Sequence, residues 1–221
     1  MLEFITGGGC TSEVVMSVVF LSQDVREELR DRTVVVIGSS VQRSVYKDLV
    51  VLMQGDRYIT EPELRKKGEL TFMNDELLYG GVKGEKTNSK NYHECRSFNE
   101  PTINSYVDYF FVTRSYDGYI EDILNKLSDK RADVVIMSSC LWDVHRHYDS
   151  CQVYESNLQR VVDQVVAVLP HSLFIWLTAP PVDIRSKGGF KESKTDLVKV
   201  REVQMFNAIA RQVFSQAAYN C

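Results

Sequence analysis

Positive charge is not in excess here: 26 Lys and Arg stand against 30 Asp and Glu in 221 residues, a formal net charge of −4. That removes the global basic field on which nucleic-acid or anionic-membrane binding rests, so neither partner is expected. Cysteine is scarce and scattered (Cys10, Cys95, Cys140, Cys151, Cys221), with no CxxC pair. A disulfide framework and a zinc site of the usual spacing are thereby excluded, and the compartment reads as reducing and intracellular, cytoplasmic or nuclear. The longest apolar run, Val14 to Leu21 with Ser17 inside it, is far short of the roughly 20 residues that span a bilayer. Only Glu3 and Glu13 carry charge before it, so it also lacks the basic start of a secretion signal. There is no GxxxxGK[ST] and no GxGxxG after a strand pattern, hence no support for a nucleotide, and no cofactor or metal is expected. No repeat shows at periods of 20–50 residues.

The chain does have short β-branched runs alternating with helical periodicity. Thr33–Ile37 (TVVVI), Ala132–Met137 (ADVVIM) and Leu173–Leu177 (LFIWL) read as strands buried on both faces, the mark of a parallel sheet. Asn104–Thr113 reads as an aromatic strand. Helices are predicted over Ser22–Arg32, Val41 to about Met53, Gly118–Leu127, Tyr154–Leu169 and Asp196–Ala218, from apolar residues at spacings of three and four. The alternation predicts an α/β fold: one three-layer α/β/α sandwich around a mostly parallel, flavodoxin-like sheet. Residues 1–21 read as a leader, with Met16 as an alternative start, and 22–221 as the domain. The weakly patterned stretch 55–103 reads as a loop-rich insertion with short helices.

Ligands of such sheets bind beyond the carboxyl ends of the strands, so three segments there are candidates. Gly38-Ser39-Ser40 sits between a strand and a helix, where a hydroxyl is exposed near amide N–H groups and the positive helix end. That turn suits a nucleophile or an anion; equally, Ser40 can serve as the N-cap of the following helix. The second segment runs from Met137 through Ser138, Ser139 and Cys140 to Trp142 and Asp143. Its serines can point into the same cleft with Trp142 and Asp143 as walls, or the segment is a capped turn with Asp143 a surface charge. The nearby His145 and His147 make a weak metal pair, lacking a supporting CxxC or HExxH. The third is Thr178-Ala-Pro-Pro181, followed from Arg185 to Arg201 by six bases against two acids, a stretch that reads as solvated loop or as a cradle for an anionic substrate.

In Val34-Val-Val-Ile-Gly-Ser-Ser-Val-Gln-Arg-Ser-Val-Tyr-Lys-Asp-Leu49 and Ser139-Cys-Leu-Trp-Asp143 the chain resembles the PC-esterase domain-containing proteins, a branch of the GDSL/SGNH acyl-esterase superfamily. Lys67-Gly-Glu-Leu-Thr-Phe72, Gly80-Gly81, Thr113-Arg114 and Tyr119–Leu124 are similar to that family as well, and the resemblance runs from about Met16 to Cys221. It implies an SGNH-like fold with Ser40 as nucleophile and Gly38 as the glycine of the Gly-Asp-Ser motif. Ser39 stands where the family has Asp, and Ser138 where it has the Asn of the oxyanion hole. Gly80 or Gly81 matches the glycine that completes the hole. The family's Asp and His lie near the end of its domain, and none of His93, His145, His147 and His171 occupies that place. The domain therefore reads as C-terminally incomplete, with His145 as a stand-in base. The resemblance implies hydrolysis of an O-acyl substrate by a serine esterase. The alternative it leaves is an inactive esterase-fold module that binds a protein partner; a simple anion-binding turn is a third.

Overall fold

The computed structural model describes residues 19–66, 68–82, 89–181 and 200–218. Residues 1–18 of the segment expected as a leader (1–21) and most of the basic stretch after Pro181 lie outside them. Short helix α1 (Ser22–Glu28) leads into strand β1 (Thr33–Gly38) and helix α2 (Ser40–Gln54). A short helix α3 (Glu61–Arg65) precedes β2 (Glu76–Gly80), β3 (Glu94–Glu100) and β4 (Ser105–Phe111). Then come α4 (Gly118–Lys130), β5 (Val134–Met137), α5 (Cys151–Val168), β6 (Leu173–Trp176) and α6 (Val200–Ala218).

The six strands form one sheet in the order β2-β3-β4-β1-β5-β6. The pairings β4–β1, β1–β5 and β5–β6 are parallel, and β2–β3 and β3–β4 antiparallel. The sheet is thus mixed, with β3 antiparallel to a four-strand parallel block and β2 antiparallel to β3 at the edge. Here the structure corrects the reading of 55–103 as loops and short helices: that stretch supplies one short helix and two strands.

Strand alternation divides the core. Val35 and Ile37 of β1 face Ile120, Ile123, Leu124 and Leu127 of α4 and Val161 and Val165 of α5. Val34 and Val36 face Tyr46, Val50 and Met53 of α2, with Val25 and Leu29 from the α1 end at its margin. A third cluster joins α5 to α6 through Tyr154, Leu158, Phe206, Ala210 and Val213. Helices on both faces of a central sheet make the three layers. All four residues of β1 from Val34 to Ile37 are at most 2% exposed, which is why that segment reads as an unbroken β-branched run instead of an alternating one. No helix among the described residues is long and apolar enough to cross a membrane.

Candidate active site at the strand ends

All four parallel strands deliver their carboxyl ends to one small cavity of about 10 Å³. After β4 comes Val112; after β1, Ser39, Val41 and Gln42; after β5, Ser138 through Trp142; after β6, Ala179 and Pro180. The three segments singled out in the sequence therefore converge.

The serine turn is built by Gly38. Its φ is +156°, and a Cβ placed there would lie 2.5 Å from Gln42 Cγ, so only glycine lets Gln42 fold back over the strand end. Gln42 Oε1 accepts the Ser39 N–H at 3.2 Å. The turn's carbonyls are also held: Tyr109 Oη donates to Ser39 O at 3.0 Å, and Val112 N to Gly38 O at 3.1 Å. Ser39, not Ser40, is the N-cap of α2. It is the buried serine that lines the cavity, whereas half-buried Ser40 opens the first turn of the helix beside it. The alternative of Ser40 as the helix cap is thereby replaced.

Ser138 is buried against β1, its N–H donating to Ile37 O at 3.1 Å. Behind it the chain turns sharply at Cys140, a non-glycine residue with φ +139°. Asp143, read from the sequence as a wall or a surface charge, is wholly buried. Burial pushes its carboxyl above the usual range, and hydrogen bonds from Ser139 and Ser115 oppose that shift. Burial, with the Asp143 charge adding to it, pushes the Cys140 thiol up to about 12, so it is not an ionised nucleophile at neutral pH. Residues 143–147 form a π-helical turn.

Gly81 is placed elsewhere. Registers Gly80↔Glu94, Glu94↔Phe111 and Phe111↔Gly38 run in one row across the sheet, which sets Gly80 roughly 14 Å from Gly38 at about 4.8 Å per strand. Buried Gly81 does not line the cavity; its φ is +67° and a Cβ there would meet Glu94 Cδ at 2.9 Å. A chain of contacts links it to the serine turn, for Glu94 pairs at 3.0 Å with Arg43, one helical turn beyond Ser40. Glu94 and Arg43 belong to a buried polar lattice. Arg96 grips Asp75 with two bonds of 2.7 and 2.8 Å, Tyr46 Oη donates to Asp75 at 2.9 Å, Tyr92 Oη to Glu94 at 2.8 Å, and Lys47 pairs with Glu69. Arg43, Tyr46 and Lys47 of α2 and Glu69 of the 66–75 loop all sit in the segments that carry the family resemblance.

None of the histidines lines the cavity. His93 stacks on Tyr119 at 3.7 Å, His145 and His147 sit in the π-turn, and His171 lies at the opposite end of the strands. His147 is pushed below its ordinary value, chiefly by burial. The residues sequence reasoning missed are Ser115, Gln42, Val112 and Glu94. Gln42 lies three residues beyond Ser39 in the predicted helix, whereas only the fold brings Val112 to the serine turn, Glu94 to Arg43 and Ser115 to Asp143.

No model of a known protein family matches the chain. It is 44% identical over 175 residues to PC-esterase domain-containing protein 1A of Mus musculus, covering 77% of this chain and 39% of that protein. It is 42% identical over 177 residues to PC-esterase domain-containing protein 1B of Homo sapiens, covering 78% and 40%. The chain thus spans about two-fifths of the length of the curated relatives it matches. A solved structure titled "Peptidoglycan O-acetylesterase in action, 5 min" superposes over 87% of this chain and 79% of that one, with a TM-score of 0.45 and 14% identity.

Proposed function

Since the chain belongs, over the residues it shares with them, to the PC-esterase domain-containing proteins, we propose that it carries the nucleophile and oxyanion side of a serine esterase acting on O-acyl groups. The observation that supports this reading best is the convergence of Ser39, next to Ser40 in the chain, with Ser138 and Ser139 at the ends of the parallel strands. In this reading Ser40 Oγ attacks the acyl carbon and gives its proton to a base. The oxyanion of the tetrahedral intermediate is held by N–H groups at the start of α2 and by the Ser138 hydroxyl. Collapse expels the alcohol, which takes the proton, and water then cleaves the acyl-serine to release the carboxylic acid.

Two roles weaken the site. A serine hydroxyl without a base loses several orders of magnitude in rate, and no histidine among the described residues lines the cavity. The family resemblance assigns the base to a C-terminal Asp/His pair, with His145 as the candidate within this chain. Ser138 in place of Asn has a shorter reach, and loss of an oxyanion donor costs on the order of 100-fold. These features favour a second reading: a retired esterase fold that serves as a binding module.

A fluorophosphonate probe with mass spectrometry separates the two. It is applied to the 221-residue chain and to the longest natural protein containing it. The esterase reading expects an adduct on Ser40, abolished in Ser40→Ala, in the longer protein. An adduct in the short chain as well assigns the base to its own residues, His145 first. No adduct in either folded protein overturns the esterase reading in favour of the binding module.

A further inference from the structure

Asp143 joins the two segments that leave β4 and β5, the strands on either side of β1. One carboxylate oxygen accepts the Ser115 N–H and the Ser115 hydroxyl, both at 2.7 Å. The other accepts the Cys140 N–H at 3.0 Å and the Ser139 hydroxyl. The four donors leave the carboxylate well satisfied. Every one is a neutral group: Arg114, whose charge Asp143 feels, is paired with Asp149 at 2.6 Å.

A buried carboxylate without a cation is costly to keep, and so is a non-glycine residue at φ +139°. Core packing explains neither, because an apolar side chain at 143 would fill the space without the charge. Both costs are instead incurred at the cavity, whose wall is Ser138, Ser139 and Cys140. The serine turn after β1 lies between the two segments that the carboxylate ties.

We propose that Asp143 is a positioning residue: its carboxylate clamps the segments after β4 and β5 across the serine turn, fixing where Ser138 and Ser139 present their hydroxyls. The clamp is independent of the esterase reading, and only its effect on Ser40 reactivity rests on that reading.

The test is site-resolved amide exchange of Asp143→Asn, with fluorophosphonate labelling of Ser40 in the longest natural protein as a second readout. Exchange at Ser115 and Cys140 is expected to rise together by tenfold or more, while Val35 and Ile37 in β1 stay protected. Labelling is expected to lose tenfold or more in its maximal rate, with the half-saturating probe concentration little changed. A uniform rise that includes β1, a rise at one segment only, or no change overturns the clamp. If the wild type does not label at all, the esterase reading fails and the exchange result still decides the clamp. Should Asp143→Asn not fold, Ser139→Ala serves. It removes a donor from one oxygen, and exchange at Ser115, held by the other, is expected to rise as well; an unmoved Ser115 overturns the proposal.

Discussion

On the β2–β3 side of the sheet, α2 is fastened by charge. Arg43, Lys47 and Arg96 meet Glu69, Asp75 and Glu94 away from water, with Tyr46 and Tyr92 completing the bonds. On the β6 side, α5 and α6 are fastened by rings and aliphatic chains: Tyr154 on Phe206 at 4.4 Å and Trp176 on Phe214 at 4.7 Å, around Leu158, Val162 and Val213. Three polar atoms there, Tyr154 Oη, Asn157 Nδ2 and Trp176 Nε1, are buried without a hydrogen bond among the described residues. A charge lattice holds in one geometry, since each ion is stable only against its own partner. An apolar contact tolerates displacement. The flank that carries the serine turn's helix is therefore the stiffer of the two.

The contrast breaks most visibly at Arg96. Arg96→Ala leaves Asp75 buried and unpaired and is expected to cost about 3–5 kcal/mol, read as a fall in the urea midpoint with unchanged slope. Adding Asp75→Ala to it should cost much less than the sum of the two single changes, because both act on one bond pair. A fully additive double mutant would show that the lattice is not a unit. On the apolar flank, Tyr154→Phe removes a hydroxyl that has no partner, so stability should hold or rise by up to about 1 kcal/mol. A loss above about 1 kcal/mol would place a real bond there. The smallest effect lies at the rim of the lattice, in Glu63, whose carbonyl takes Lys47 Nζ at 3.0 Å. Hydrogen bonds from Arg57 and Thr60 hold the exposed Glu63 carboxyl down to about 2. Because its folded pKa is depressed, what it contributes to α3 is present above its ordinary value of 4.5 and is lost as pH falls through about 2. Carbon-detected NMR should find that midpoint, and Arg57→Ala should raise it toward the ordinary value.

What the sequence discloses follows the same division. β1, β5 and β6 are legible as apolar runs, and α2, α4 and α5 as periodic stripes, but burial on both faces holds only for Val34–Ile37 of β1: β6 lies at the sheet edge with Leu173 exposed and Phe174 to Trp176 half-buried. β3 is not legible: Glu94-Cys-Arg-Ser-Phe-Asn-Glu100 has the charge of a loop, and Glu94 and Arg96 are buried only because α2 and the 66–75 loop bring Arg43 and Asp75 to them. Asp143 is hidden for a similar reason. Its donors Ser139 and Cys140 are near in sequence, but Ser115 is 28 residues away, and a carboxylate satisfied by neutral groups leaves no charge partner to notice. The convergence of the three candidate segments follows from the parallel block, and a mostly parallel sheet is what the apolar runs predict. Which serine caps α2 depends on one residue of backbone geometry, below what a pattern of types can resolve.

The pairing of β1 also bears on how the chain comes to fold during synthesis. Among the described residues β1 is the first strand to be made, yet Thr33 pairs with Tyr106 and Val34 with Val134. At about 5–20 residues per second, the nascent strand waits roughly 5–20 s for its second neighbour. Until β4 is made Thr33–Gly38 is an unpaired β-branched segment, and until β5 is made one of its edges stays open, the kind of edge that recruits other chains. Among the described residues, α1 and helix α2, whose contacts with β1 are local, are the elements available early to cover it.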